Sequence, residues 1–204
     1  MPDSLLRTLI WIDVRLGVLF AVALPLVLLV WAALRREPAL VRLLGLYWRV
    51  SSLLLVAVLL LTDARPVGFA LLPMAQVLVV GCLWFWVDLN EELADLPPWR
   101  ALPLTVRIWR WSLTLLMLAG AALALQALPC VMGDRGSGLC RLWQAAPLGL
   151  HGGLQTLFGF VFGGNWTPAV AAFIGYVALV AYVVGLLQWL LVRLPRQGRM
   201  AGEF

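Results

Sequence analysis

The chain has 204 residues, of which 63% are hydrophobic and only 12% charged. A soluble domain carries about a quarter charged residues, so this composition excludes an ordinary water-soluble protein and predicts a polytopic membrane protein. The net charge of +5 comes from fifteen arginines and no lysine, scattered along the edges of apolar segments, a distribution that speaks for membrane orientation rather than nucleic acid.

Five segments reach the roughly 20 apolar residues that a bilayer core requires: residues 14–34, 43–61, 67–87, 110–128 and 168–192. The expected fold is an all-α integral membrane protein, a five-transmembrane-helix bundle forming one membrane domain over residues 1–204. The first segment follows Asp13 and Arg15 and lacks a small-residue cleavage site, so it reads as a span and not a signal peptide. Arg35 and Arg36 close it and predict that its C-terminal end faces the cytoplasm. Alternating from there puts the N-terminus outside and the C-terminus inside. Ten arginines then fall on the cytoplasmic side (35, 36, 42, 49, 100, 107, 110, 193, 196 and 199) and five outside (7, 15, 65, 135 and 141). On these boundaries no acidic residue lies inside a span, which counts against a proton pump.

Along the second span, Arg42 and Arg49 are one heptad apart and share a face. Arg49 sits near the cytoplasmic end, where it snorkels, pairs with acids, or contacts lipid phosphate. The third span runs into Leu83-Trp84-Phe85-Trp86-Val87-Asp88-Leu89-Asn90-Glu91-Glu92, followed by Asp95 and Pro97-Pro98. Asp88, Glu91, Glu92 and Asp95 are spaced i, i+3, i+4 and i+7, which puts four carboxylates on one helical face. They open an acidic cytoplasmic hairpin, residues 88–109. Arg107 and Arg110 follow within reach, so ion pairing or partner docking is the expected use of this face, ahead of a metal site. Most of the eleven tryptophans, including Trp84, Trp86, Trp109 and Trp111, fall near the cytoplasmic boundary and read as an aromatic belt.

Residues 129–167 form an outer loop. Cys130 and Cys140 bracket a glycine-rich tether and, on the outer side, are expected to form a disulfide worth roughly 2–3 kcal/mol. Cys82 reads as a free packing residue. Residues 153–164 are too short to cross and read as re-entrant or interfacial. His151 is the only histidine; that excludes bis-histidine haem within one chain and a multi-histidine metal centre. No metal and no other cofactor is expected. On the last span Ala171, Gly175, Ala178 and Gly185 form a seam for close packing, with Gly120, Ala121 and Ala124 as a matching surface on the fourth.

Several strings together resemble an uncharacterised family of small multi-span membrane proteins from cyanobacteria, known only as a domain of unknown function. They are Trp11-x-Asp13-x-Arg15, Tyr47-Trp48-Arg49-Val50, the Leu83–Glu92 string, Trp109-Arg110-Trp111, the Cys130 and Cys140 pair, and the tail Val192-Arg193-Leu194 with Gln197-Gly198-Arg199. The resemblance implies a photosynthetic prokaryote and a thylakoid or plasma membrane, and it carries no activity, substrate or catalytic residue.

The chain has no Gly-x-Ser-x-Gly elbow and no nucleophile–base pair, so it is expected not to be an enzyme. The leading expectation is an accessory or assembly protein of a photosynthetic or respiratory membrane complex. It would contact the lipid bilayer and a membrane-protein partner, docking through Asp88, Glu91, Glu92 and Asp95. A small solute or ion permeation protein is the alternative, with Arg49 and the acidic face at its mouth.

Overall fold

A computed structural model describes residues 3–97, 99–132, 137–161, 163, 166–193 and 195. Pro98, Arg135, Arg196 and Arg199, on which parts of the sequence argument rest, lie outside these. The described chain is helical. Helix α1 (Asp3–Gly17) passes through a π-helical stretch (Val18–Ala23) into α2 (Leu24–Arg35) without a break. Next come α3 (Pro38–Thr62), α4 (Pro66–Phe85), the short α5 (Val87–Asp95), α6 (Ala101–Ala124), the one-turn α7 (Pro129–Met132), α8 (Gly138–Val161) and α9 (Pro168–Gln188).

The turns follow from local chemistry. Proline stands at the start of α3, α4 and α9, where its missing N–H costs nothing and its φ is already helical. Arg36 and Ala64 adopt positive φ (55° and 49°) and reverse the chain before two of those prolines. At α9 the Thr167 hydroxyl also accepts from the Val170 N–H and caps the helix. Trp86, extended at φ −83° and ψ 113°, ends α4 and begins α5.

Five helices are long and apolar enough to cross a membrane: Ser4–Arg35, Pro38–Thr62, Pro66–Phe85, Ala101–Ala127 and Pro168–Val192. The count agrees with the sequence. Two boundaries do not. The first helix starts about ten residues before residue 14, and the fourth begins at Ala101 instead of 110. Both run through charged residues that look like flanks in the sequence: Asp13 in the first, and in the fourth Arg107 and Arg110, whose guanidinium groups are held by carbonyls of α4 and the α5 segment and by Asn90.

Helices α3, α4 and α6 form the centre, with 44–50% of their apolar windows buried; the first and last spans are peripheral at 22% and 17%. Alternation of the spans leaves two ends. One carries Arg36, α5 and the start of α6. The other carries Asp63, Arg65, the Cys130–Cys140 disulfide (Cα–Cα 5.8 Å) and α8. The inter-span segment 129–167 is mostly helix. The first half of α8 packs over the bundle: Gln144 donates to the Thr62 carbonyl (3.2 Å), and Gly149 sits so close to the Trp11 ring that an added Cβ would lie 2.6 Å from it. Residues 153–161 are the second half of that helix and are largely exposed.

The small-residue seam of α9 meets α3. A Cβ added at Gly175 would lie 3.1–3.2 Å from Leu59 and Leu60. Gly120 on α6 is not its counterpart and faces α1 and α4 instead.

Candidate functional site

Polar side chains concentrate in two places, one at the α5 end and one inside the bundle. At the α5 end the organising residue is Arg110, only 5% exposed. Its guanidinium donates to the Leu83 carbonyl at the end of α4 (2.5 Å) and to Asn90 Oδ1 on α5 (2.6 Å). It also stacks over the Trp84 ring at 4.3 Å. Asn90 in turn donates to the Trp84 carbonyl (3.0 Å), so two carbonyls freed by the break at Trp86 are capped. Trp84 Nε1 donates to Thr114 (3.0 Å), and the Trp84 and Trp111 rings meet at 4.8 Å. The Leu83–Glu92 string and Trp109-Arg110-Trp111 are thus two halves of one junction.

Arg107 closes the other end of α5. It donates to the carbonyls of Leu93 (2.9 Å), Ala94 and Leu96 (3.2 Å each), a cation on the negative end of the helix dipole. Arg42 on α3 grips both oxygens of Glu92 (2.5 and 2.7 Å), and Arg100 lies 3.8 Å from Glu37. The four carboxylates therefore divide. Glu92 is spent on α3, and Asp88 is not without a partner. Glu91 and Asp95 are exposed and join none of the ion pairs found among the described residues. Arg49 is exposed and lines a cleft of about 710 Å³ between α3, α4 and α9, together with Cys82, Phe85, Trp86, Tyr182 and Trp189. Cys82 is a buried free thiol.

The aromatic belt needs correction at several positions. Trp86 and Trp109 are 7% and 2% exposed, and Trp143 and Trp166 are also buried. Trp109 Nε1 donates to the Phe20 carbonyl (2.8 Å) and Tyr47 to the Ala21 carbonyl (2.6 Å). Both acceptors lie in the π-helical stretch, whose wider turn releases carbonyls that a regular helix would hold. Tyr47 is accordingly fully buried. Trp99 and Trp111 remain exposed at the α5 end.

The second polar place was missed in the sequence. Asp13, a flank in the sequence, lies inside the first spanning helix and reaches over Gly120 of α6, and Gln76 from the middle of α4 approaches the same point. An added Cβ at Gly120 would lie 2.8 Å from Asp13 Oδ1 and closer still to Gln76 Nε2, so only glycine leaves room for the pair. Gln76 is 3% exposed, and its Oε1 has no hydrogen-bond partner. A usable signal was present. Leu6, Ile10 and Asp13 fall at i, i+4 and i+7, and the first two are buried.

No group of three or more His, Cys, Asp or Glu side chains comes together among the described residues. His151 stacks on Trp166 at 5.8 Å. A family model described as "Protein of unknown function (DUF3177)" matches residues 7–202. No curated protein and no solved structure matches the chain.

Proposed function

This chain belongs to the family described as Protein of unknown function (DUF3177), and from that premise we propose that it is a non-enzymatic accessory or assembly protein of a photosynthetic or respiratory membrane complex. We place its N-terminus outside and its C-terminus in the cytoplasm, on the strength of the arginine distribution. The α5 end is then cytoplasmic. The membrane is the thylakoid or plasma membrane of a cyanobacterium.

One observation carries the reading. At the α5 end, arginines cap and pair most of the polar groups internally, yet Glu91, Asp95 and Trp99 are left exposed within nine residues of one another, Trp99 at 81%. An exposed tryptophan beside two carboxylates is the composition of a docking rim, where an aromatic anchor supplies contact area and the charges set specificity. The peripheral first and last spans, with their apolar faces outward, offer the membrane-embedded continuation of that surface.

The test is purification of the tagged full chain from its native membranes in mild detergent, beside the Glu91→Arg/Asp95→Arg variant. The expected result is one membrane complex recovered with the wild-type chain and lost with the charge reversal. Recovery of the chain alone in both cases overturns the reading. A second reading, a small solute or ion permeation protein, is favoured by Asp13, since ionisable groups inside spans mark ion and proton paths. Flux in proteoliposomes that disappears in Asp13→Asn would replace the first reading with the second.

A further inference from the structure

The geometry points to Asp13 and Gln76, brought together over Gly120, as an intramembrane acid site that takes up and releases a proton. The inference goes beyond the docking reading and stands or falls independently of it.

Three helices build the site. Asp13 lies ten residues into α1 and Gln76 ten residues into α4, about 15 Å from the start of each helix at the disulfide end. Gly120 lies seven residues before the end of the α6 span, about 10 Å. The site therefore sits within the hydrocarbon thickness that these helices cross. A carboxylate there is tolerated only if paired, solvated or neutralised.

Pairing is not what the structure offers. Among the described residues no hydrogen bond or ion pair reaches Asp13. Arg15 is two residues on, about 200° around the helix, and its guanidinium lies 5.7 Å over the Trp11 ring. On α4, Arg65 at the N-terminal cap is held by Asp63 at 2.7–2.8 Å, and Cys82 lies six residues beyond Gln76, about 9 Å along the helix. On α6 the nearest cation, Arg110, is ten residues from Gly120, about 15 Å, and is consumed by Leu83 and Asn90; Arg107 is further still. On α8, which also packs on α1, the titratable groups are Arg141 and His151, the latter stacked on Trp166. What the site does hold is three acceptor oxygens, two on Asp13 and the orphaned Oε1 of Gln76, against a single donor nitrogen, Gln76 Nε2, which comes close to Gly120 together with Asp13 Oδ1.

A proton satisfies that set. Hydronium at the disulfide end supplies it: one of its O–H bonds breaks and leaves water, one O–H bond forms on Asp13, and the new hydroxyl donates to Gln76 Oε1 once the amide turns; nothing is oxidised or reduced. A divalent ion fits less well, because Ca²⁺ takes six to eight oxygens and Mg²⁺ a near-ideal octahedron, against about three here. The π-helical stretch begins five residues past Asp13, and such stretches recur at functional positions in helices.

Infrared difference spectroscopy on the full chain in phosphatidylcholine vesicles tests this across a pH titration. The wild type is expected to gain a protonated-carboxyl stretching band on acidification that is absent from Asp13→Asn and shifted in Gln76→Leu. Identical carboxyl spectra for wild type and Asp13→Asn overturn the proposal. If Asp13→Asn does not fold, Gln76→Leu decides alone, and a band that it leaves unmoved sinks the pairing. Loss of the band on adding sodium at fixed pH would reassign the site to an alkali cation, which also overturns it.

Discussion

The two polar regions of this bundle are built from the same kinds of atoms and end in opposite states. At the α5 end, Arg110, Arg107 and Arg42 find carbonyls, an amide and a carboxylate within 2.5–3.2 Å. Over Gly120, Asp13 and Gln76 bring three acceptor oxygens near one amide nitrogen, and Gln76 Oε1 is left without a partner. A satisfied network rigidifies a fold, whereas an unsatisfied buried group is costly unless something else completes it. Arg110, Arg107 and Arg42 are thus architecture, and the inconspicuous acid is the better candidate for chemistry.

Substitutions can break this contrast. Arg110→Leu removes the donor from Leu83 O and Asn90 Oδ1 together, and each buried acceptor left unsatisfied costs about 1–3 kcal/mol. The loss of about 3 kcal/mol is expected as a clear fall in the thermal midpoint of the detergent-solubilised chain. An unchanged midpoint would mean the junction between α4, α5 and α6 is held by apolar packing alone. Replacing both Cys130 and Cys140 by serine opens a loop with a sequence separation of 10, at an expected cost of about 2–3 kcal/mol. Reductant is expected to lower the wild-type midpoint by the same amount and leave the double variant unmoved.

Gly120→Ala sharpens the other side of the comparison. The new methyl meets Asp13 Oδ1 and Gln76 Nε2, so overpacking is expected to cost about 1–3 kcal/mol. The same change combined with Gln76→Ala is expected to recover most of that loss, and failure to recover would show that the strain lies in the helix backbones. Tyr47→Phe removes only the bond to the Ala21 carbonyl, with an expected loss of about 1 kcal/mol. Glu92→Gln sits lowest. Its pair with Arg42 is 26% and 42% exposed, which limits the effect to less than about 1 kcal/mol, falling further in high salt. A large effect from Glu92→Gln would erase the distinction between this partly solvated pair and the buried Arg110 network.

The sequence reading and the structure part company where helices meet. The sequence puts spans at residues 14–34 and 110–128 because Asp13, Arg107 and Arg110 look like flanks to any window that scores polarity locally. In the structure each is inside a helix, and what admits Arg107 and Arg110 is an acceptor on another element. The tryptophans show the same limit. Trp109 and Trp99 look alike as boundary aromatics, yet one is 2% exposed and the other 81%. Nothing in the local sequence says that a π-helical stretch 89 residues earlier presents a carbonyl to Trp109.

Runs of apolar residues and the i, i+3, i+4, i+7 carboxylates were enough to give five helices long and apolar enough to span a membrane and an acidic face between the third and fourth. These are local properties, set by length, backbone dihedrals and solvent preference. Which polar groups are matched and which are stranded had to await the packing of α1, α4 and α6. A hydrogen bond requires two atoms within about 3 Å, and along this chain the partners lie tens of residues apart.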